Sequence, residues 1–156
     1  DVHNYFYDRT IRQIILERFT EALPEDRTEP CLVIGHSLGS TIAYDGLINH
    51  KNNCKMFVTL GSPLGLYTVM AEMKRLNHID PLPIPASLER WENFRDRIDP
   101  VALTKYIHGH YKGHIDPQDH WVDNIDNDTN PHSLTGYLKT RKVRNVVAEG
   151  LYEQTR

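Results

Sequence analysis

The segment CLVIGHSLGST, residues 31–41, contains the pattern on which the fold prediction depends. Its first five residues are short, apolar and partly β-branched, which is typical of a strand buried on both faces of a parallel sheet. The residues from 38 to 49 that follow are predicted to form a helix. The segment therefore predicts a strand at 31–35, a sharp turn that carries Ser37, and then that helix.

Strands and helices alternate along the rest of the chain. Further strands are predicted at 55–63, 90–95 and, more weakly, 119–126, and further helices at 8–22, 64–76 and 133–150. Asp8 is expected to cap the first helix. The alternation indicates a single, partial α/β domain over residues 1–156, with a mostly parallel sheet and helices on both faces. Three prolines within residues 77–90 predict an irregular, cap-like excursion over the strand ends.

Composition and charge argue against several classes of protein. The chain has 156 residues and a formal net charge of −3, and no basic tract is long enough to indicate nucleic-acid binding. No apolar run approaches the roughly 18 residues of a membrane span. Two cysteines, Cys31 and Cys54, are too few for a disulfide framework. They are predicted to be buried thiols in a reducing compartment, which places the protein in the cytoplasm.

Residues 35–39, Gly-His-Ser-Leu-Gly, fit the pattern G-x-S-x-G. A serine on a sharp strand-to-helix turn adopts strained backbone angles, and its hydroxyl stands clear at the top of the sheet. The positions of Gly35 and Gly39 are expected to require small residues, because the strand and the helix nearly collide there. The backbone N–H of Leu38, at a helix N-terminus, is expected to stabilise an oxyanion. Ser37 is therefore a candidate nucleophile.

A nucleophilic serine needs a base, and the base needs a carboxylate that orients it. On a fold of this kind the chain order is serine, then acid, then histidine. Asp99 follows the third predicted strand and His132 precedes the last predicted helix, so both fit that order. Asp96, three residues before Asp99, remains a second candidate for the acid. Three other histidines are less well placed for the base: His36, His114 and His120.

Four segments, GHSLGS, FVTLGSPLGL, WENFRDRIDPVAL and NPHSLTGYL, together resemble those of bacterial α/β-hydrolase-fold serine esterases and lipase-like hydrolases. The resemblance covers nearly the whole chain. It implies that Ser37 is the nucleophile, Asp99 the acid and His132 the base of a catalytic triad that needs no cofactor. Asp99 is preferred over Asp96 because the family's acid immediately precedes Pro-Val. The substrate is expected to be a small-molecule or lipid ester, and a thioester stays open as an alternative.

The resemblance places only the last four of the family's eight strands in this chain. A missing N-terminal segment is expected to complete the sheet, or else another chain completes it. Without that segment, residues 31–35 are expected to present an unpaired apolar edge, which is an aggregation hazard. The oxyanion hole is expected to keep one donor of two, and such a loss typically costs about 10²–10³ in rate.

Two other functions stay open in the sequence. The chain is also compatible with a catalytically weak or inactive hydrolase fragment, or with an interaction domain that keeps the hydrolase scaffold. The spacing of His108, His110 and His114 is one that metal ligands use. No obvious carboxylate or thiolate completes that set, so no metal site is predicted.

Overall fold

The fold is built on one four-stranded sheet in which every strand pair is parallel. The computed structural model describes residues 2–102 and 106–154. The strands are β1 (Cys31–His36), β2 (Cys54–Leu60), β3 (Arg90–Arg95) and β4 (Gln118–Trp121). Their spatial order is β1-β2-β3-β4. Because all four strands run in one direction, their carboxyl ends meet at a single edge of the sheet, where ligands of such sheets bind.

Helices connect and cover these strands. They are α1 (Val2–Tyr7), α2 (Arg9–Ala22), α3 (Leu38–Asn49), α4 (Tyr67–Asn77), α5 (Leu134–Lys139) and α6 (Arg141–Gln154), with a 3-10 turn at Pro63–Gly65. Asp8 caps α2 as predicted, since its carboxylate accepts the N–H groups of Thr10 and Ile11 at 2.9 and 3.0 Å. Within residues 2–102 and 106–154, no helix combines the length and apolar character needed to cross a membrane.

Side chains of β2 point alternately into two cores on opposite faces of the sheet. Phe57 packs in a cluster that includes side chains of α1, α3 and α4. Its neighbours Met56 and Val58 pack in a second cluster with Tyr137 of α5 and Val143 of α6. Helices therefore cover both faces, and the prediction of an α/β fold with a parallel sheet is confirmed.

The predicted C-terminal helix at 133–150 is wrong as a single element. It is divided into α5 and α6 at Thr140, whose backbone leaves the helical region (φ −63°, ψ 129°). The Thr140 hydroxyl donates to the carbonyl of Gly136 at 3.0 Å, a local bond of the kind that competes with helix continuation.

Other boundaries differ by a few residues. β4 ends at Trp121 rather than at 126, because the N–H of Asn124 donates to the Asp96 carboxylate at 2.6 Å and the chain leaves the strand ladder. The 3-10 turn separates β2 from α4, so the helix predicted at 64–76 begins at Tyr67. Helix α1 has no counterpart in the prediction. The proline-containing segment 77–90 is irregular, as expected, up to the start of β3.

β1 is the edge strand of the sheet. Among the residues that the structure describes it pairs with β2 alone, and 40 % of Ile34 is exposed. An unpaired edge at 31–35 was expected from the sequence, and this part of the chain shows one. The outer backbone groups of β1 are thus open to a further strand.

The helices on one face are joined through a fully buried carboxylate, that of Asp45 on α3. The Tyr5 hydroxyl donates to it at 2.6 Å, and the Arg12 guanidinium donates to both oxygens at 2.8 Å. Amides of Asn49 and Asn77 each add a bond of 2.9 Å. Burial, and then the neighbouring Asp45 charge, raises the pKa of Tyr5 well above its usual range, so the hydroxyl remains a donor. This network fixes α1 and α2 onto α3 and α4.

Two free cysteines lie side by side at the start of β1 and β2. Cys31 and Cys54 are paired in register, and Cys54 is fully buried whereas Cys31 is half-buried. The prediction of two buried thiols therefore holds for Cys54 and only in part for Cys31. The neighbouring Cys54 thiol lowers the pKa of Cys31 to about 7, and the same contact together with burial raises the pKa of Cys54.

Replacing Arg12 by methionine removes the cation from the Asp45 network but keeps a side chain of similar length. The buried carboxylate loses its only ion-pair partner in the described network. We expect the free energy of unfolding to fall by about 3 kcal/mol, measured by urea denaturation. The matched control is Arg18→Met, whose pair with Glu21 is exposed. That variant should change stability by less than about 0.5 kcal/mol. Equal effects of the two variants would contradict the buried network.

Cys31 is expected to react with iodoacetamide at a rate that rises with pH around a midpoint of about 7, because the thiolate forms above the lowered pKa. Intact-mass and peptide-mass measurements follow the labelling, and Cys54 should stay unmodified while the protein is folded. In Cys54→Ala, the midpoint should move up toward about 8.5, the value of an ordinary thiol. A midpoint that is the same in both proteins would contradict the role of Cys54.

Candidate active site

Ser37 lies on the turn between β1 and α3, in the strained conformation that the G-x-S-x-G pattern predicts. Its φ of 53° and ψ of −134° belong to a region that residues other than glycine rarely adopt. Its N–H donates to the carbonyl of Leu60, at the end of β2, at 3.1 Å. Its carbonyl accepts the N–H and the hydroxyl of Ser40, at 3.0 and 2.6 Å. The Ser37 hydroxyl makes no capping bond to α3, so the helix does not use it.

The two glycines of the pattern differ in their surroundings. A Cβ added to Gly35 would lie 2.5 Å from the Cα of Ser40, so strand and helix do nearly collide at this position. A Cβ added to Gly39 would meet no heavy atom within 4 Å outside its own helix and chain neighbours, in the part of the chain that the structure describes. The steric reason given for small residues is therefore right for Gly35 and wrong for Gly39.

Asp99 and His132 form a close pair at the carboxyl edge of the sheet. The Nδ1 atom of His132 lies 2.9 and 2.8 Å from the two carboxylate oxygens of Asp99. Asp99 is fully buried, on the loop after β3, and His132 is on the loop before α5. The N–H of Val101 donates a further bond of 2.9 Å to Asp99 Oδ1. With a carboxylate as its acceptor, Nδ1 carries the ring proton, which leaves Nε2 as the basic nitrogen.

Gly61 lies against this pair, directly after β2. Its φ is +53°, and a Cβ there would be 2.7 Å from Asp99 Oδ2 and 3.0 Å from His132 Nδ1. Its N–H donates to the carbonyl of Phe94, at the end of β3, at 3.0 Å. A glycine is required here both by the backbone angle and by the space that the pair occupies. The strand ends of β2 and β3 thereby form the floor of the site.

Asp96 accepts hydrogen bonds from the loops around the site and makes no bond to His132 among the described contacts. Its Oδ1 accepts the N–H of Ile98 at 2.9 Å. Its Oδ2 accepts the N–H of Asn124 and the side-chain amide of Asn127, at 2.6 and 2.9 Å. The structure thus brings Asp99, and not Asp96, to the candidate base.

His36 lies beside His132 and supports it from the strand side. Its Nε2 is 2.9 Å from the carbonyl oxygen of His132, to which it donates, and the two ring centroids are 4.6 Å apart. Burial, and then the neighbouring imidazole of His132, lowers the pKa of His36 below its usual value. A neutral His36 therefore holds the backbone of the candidate base without adding charge to the site.

The remaining histidines of interest have partners elsewhere. His114 Nε2 is 2.6 Å from the carbonyl of Leu88, and His120 pairs with the Glu92 carboxylate. His108 pairs with Asp116 at 2.8 Å. Over residues 2–102 and 106–154, no group of three or more His, Cys, Asp or Glu side chains is arranged to hold a metal ion.

The bond that would join the serine to the base is not formed in this structure. The Nε2 atom of His132 is buried and has no hydrogen-bond partner within the described part of the chain, so it makes no bond to Ser37. Catalytic hydrogen bonds are often long or poorly aligned until a substrate is bound. Ser37 and the His132–Asp99 pair nevertheless share one edge of the sheet, linked through Leu60, Gly61 and His36.

Leu38 is the first residue of α3. The first N–H groups of a helix have no acceptor inside the helix, and they lie at the positive end of its dipole. The N–H of Leu38 therefore lies at the end of α3 that favours negative charge, directly after Ser37 in the chain.

Two contributors to the site are absent from the sequence-based prediction. From the sequence, neither Gly61 nor Tyr137 was assigned a role in the site. The Tyr137 hydroxyl donates to Asp99 Oδ2 at 2.7 Å. Tyr137 lies five residues after His132, on the short helix α5 that follows the His132 loop. This spacing could have indicated a contact between Tyr137 and the acid.

Comparison with known proteins finds no matching family model, curated protein or solved structure. The function must therefore be inferred from the residues and geometry of this chain.

Gly35→Ala and Gly39→Ala are a matched pair of variants in the elbow, residues 35–39. The methyl group of the first would collide with backbone, whereas that of the second meets open space. We expect Gly35→Ala to lower the free energy of unfolding by about 2 kcal/mol or more, and Gly39→Ala to cause no loss. Urea denaturation of both variants measures this. Similar destabilisation by the two substitutions would contradict the observed packing.

Proposed function

We propose that this chain carries the catalytic residues of a serine hydrolase of the α/β-hydrolase type, which cleaves carboxylic esters through an acyl-enzyme intermediate. The observation that carries the proposal is the His132–Asp99 pair, held at the same sheet edge as a strained serine at a strand-to-helix turn. The order serine, acid, histidine along the chain supports it as well.

In the proposed reaction, His132 Nε2 takes the proton of the Ser37 hydroxyl as the serine oxygen attacks the ester carbonyl. The N–H of Leu38 stabilises the resulting oxyanion. Asp99 orients the imidazole and stabilises its positive charge. The imidazolium then gives its proton to the leaving alcohol, and the acyl group remains on Ser37.

Deacylation repeats these steps with water in place of the serine. His132 removes a proton from a water molecule, the hydroxide oxygen attacks the acyl carbonyl, and the proton returns to Ser37 as the carboxylic acid leaves. No cofactor takes part in either half of the reaction. The substrate class proposed is a small-molecule or lipid ester.

We further propose that an N-terminal segment outside this sequence completes the sheet by pairing with β1 and supplies the second oxyanion donor. The open edge of β1 supports this view. We assign the reaction to the cytoplasm, a reducing compartment, since Cys31 and Cys54 are adjacent and both free.

A second candidate function is a catalytically weak or inactive scaffold that binds a partner. It is favoured by one observation, the absence of a described hydrogen-bond partner for His132 Nε2. A scaffold of this kind would bind its ligand equally well after Ser37→Ala and would show no turnover.

The test is covalent labelling of the natural protein that contains this chain, using a fluorophosphonate probe and peptide mass spectrometry. We expect the label on Ser37, and ester turnover that falls by roughly 10⁴-fold or more in Ser37→Ala and in His132→Ala. Ser87→Ala is the control, because the Ser87 hydroxyl bonds to Asn52 away from the sheet edge, and this variant should label normally.

An unlabelled protein, under conditions in which a reference serine hydrolase reacts fully, would refute the catalytic proposal and favour the scaffold. Labelling that persists in Ser37→Ala would refute the assignment of the nucleophile.

A further inference from the structure

The hydroxyl of Tyr137 is placed between the two aspartates of the loop after β3. It donates to Asp99 Oδ2 at 2.7 Å and accepts the backbone N–H of Asp96 at 2.9 Å. The tyrosine side chain is fully buried. Burial, and then the bond to Asp99, raises the pKa of Tyr137, so the hydroxyl keeps its proton throughout the range in which proteins are folded.

The bond from Asp96 determines where the tyrosine proton points. A hydroxyl that accepts an N–H must direct its own proton elsewhere, and the only acceptor described within reach is Asp99 Oδ2. The backbone N–H of Asp96 therefore fixes the direction of this hydrogen bond, and the hydroxyl of Tyr137 is not free to rotate. Asp99 receives a permanent donor on the oxygen nearest to His132 Nδ1.

The contacts of the Asp99 carboxylate show what this donor does. Oδ1 is held by the N–H of Val101 at 2.9 Å and by the more distant N–H of Ala102 at 3.4 Å. Oδ2 has no backbone donor among the described contacts, and it is shared by His132 and Tyr137. Without the tyrosine hydroxyl, Oδ2 would keep His132 as its only donor among the described contacts.

Tyr137 also links the acid to the element that carries the base. It lies on α5, which begins two residues after His132, with Ser133 as its cap, whereas Asp99 is on the loop after β3. A single side chain thus spans the two loops that contribute the pair. Any movement of one loop relative to the other would have to break a buried hydrogen bond to a charged group, which is costly.

We propose that Tyr137 is a positioning residue of the candidate active site: its hydroxyl holds Oδ2 of the Asp99 carboxylate and shares that oxygen with the Nδ1–H of His132. It thereby restrains the acid and limits the strength of the hydrogen bond between His132 and Asp99. The role in catalysis rests on the proposed serine hydrolase function. The effect on the His132–Asp99 hydrogen bond does not, and it can be measured in protein that turns over no substrate.

The first experiment uses proton NMR of the Nδ1–H of His132, which should give a resonance at unusually low field because its acceptor is a carboxylate. In Tyr137→Phe, Oδ2 loses a competing donor and accepts more strongly from His132, so the resonance should move further downfield. Replacement of Tyr137 by 3-fluorotyrosine, whose hydroxyl is a stronger donor, should move it upfield. Asp99→Asn should abolish it and thereby assigns it.

Tyr44→Phe is the matched control. Tyr44 is also fully buried, and its hydroxyl donates to a backbone carbonyl, that of Pro83, at 2.9 Å. This variant loses one buried hydroxyl of the same kind, away from the His132–Asp99 pair, and should leave the resonance where it is. An equal downfield shift in both variants would overturn the proposal, since it would show a general loosening of the fold.

The second experiment compares turnover per active site in wild type and Tyr137→Phe. The number of active sites is measured in a separate sample by labelling with the fluorophosphonate probe. In Tyr137→Phe we expect kcat to fall about tenfold, as for the loss of one hydrogen bond to a charged group. KM should stay within about twofold, since the Tyr137 side chain is fully buried behind Asp99. Counting only labelled molecules removes the contribution of unfolded protein.

The possible outcomes separate the two proposals. A resonance that moves upfield in Tyr137→Phe, or that stays in place in both Tyr137→Phe and the 3-fluorotyrosine protein, overturns the role of Tyr137. So does a wild-type protein that shows no low-field resonance at low temperature. If Tyr137→Phe does not fold, the upfield shift in the 3-fluorotyrosine protein decides the question. A wild type that is not labelled refutes the hydrolase, while the NMR result still decides whether Tyr137 controls the pair.

Discussion

The close approach of β1 and α3 at Gly35 is the constraint on which the rest of the site depends. Only 2.5 Å would separate a Cβ at this position from the Ser40 backbone. The chain can turn so sharply only if Ser37 accepts a positive φ, at a strain of order 1–3 kcal/mol. The bonds of Ser37 to Leu60 and Ser40 hold that conformation in place. A strained serine at the edge of the sheet is thus a direct result of how one strand enters one helix.

The parallel sheet brings the other candidate site residues to the same edge as this turn. Each strand ends at the same edge, so the loops after β2, β3 and β4 bring Gly61, Asp99 and His132 together although up to 71 residues separate them along the chain. Asp99 is a fully buried charge, and such a charge is tolerated only when hydrogen bonds satisfy it. Its donors come from its own loop, from His132 and from α5. The acid is therefore held by several elements at once.

The sequence predicts those features that depend on local chemistry. The apolar run at β1 and the cap at Asp8 follow from residue types and spacing, whereas the choice of Asp99 over Asp96 follows from the resemblance of its segment to that of known hydrolases. Features that depend on tertiary contacts are missed. The break at Thr140 follows a side-chain bond to Gly136 that periodicity does not reveal. Helix α1 is too short for its pattern to be detected, and it is held by Asp45, which lies about 40 residues away in the chain. Gly39 fits the motif, yet its open surroundings are visible only in the structure.

The shared carboxylate of Asp45 makes the helices of one face depend on one another during partial unfolding. A six-residue helix such as α1 would ordinarily be marginally stable on its own. Here, opening of α1 removes the Tyr5 hydroxyl from a buried charge that α2 and α4 also bind. That loss makes separate opening unfavourable, so α1 to α4 should behave as one cooperative unit. Since α3 begins directly after Ser37, the N-terminal helices belong to the same rigid body as the candidate nucleophile.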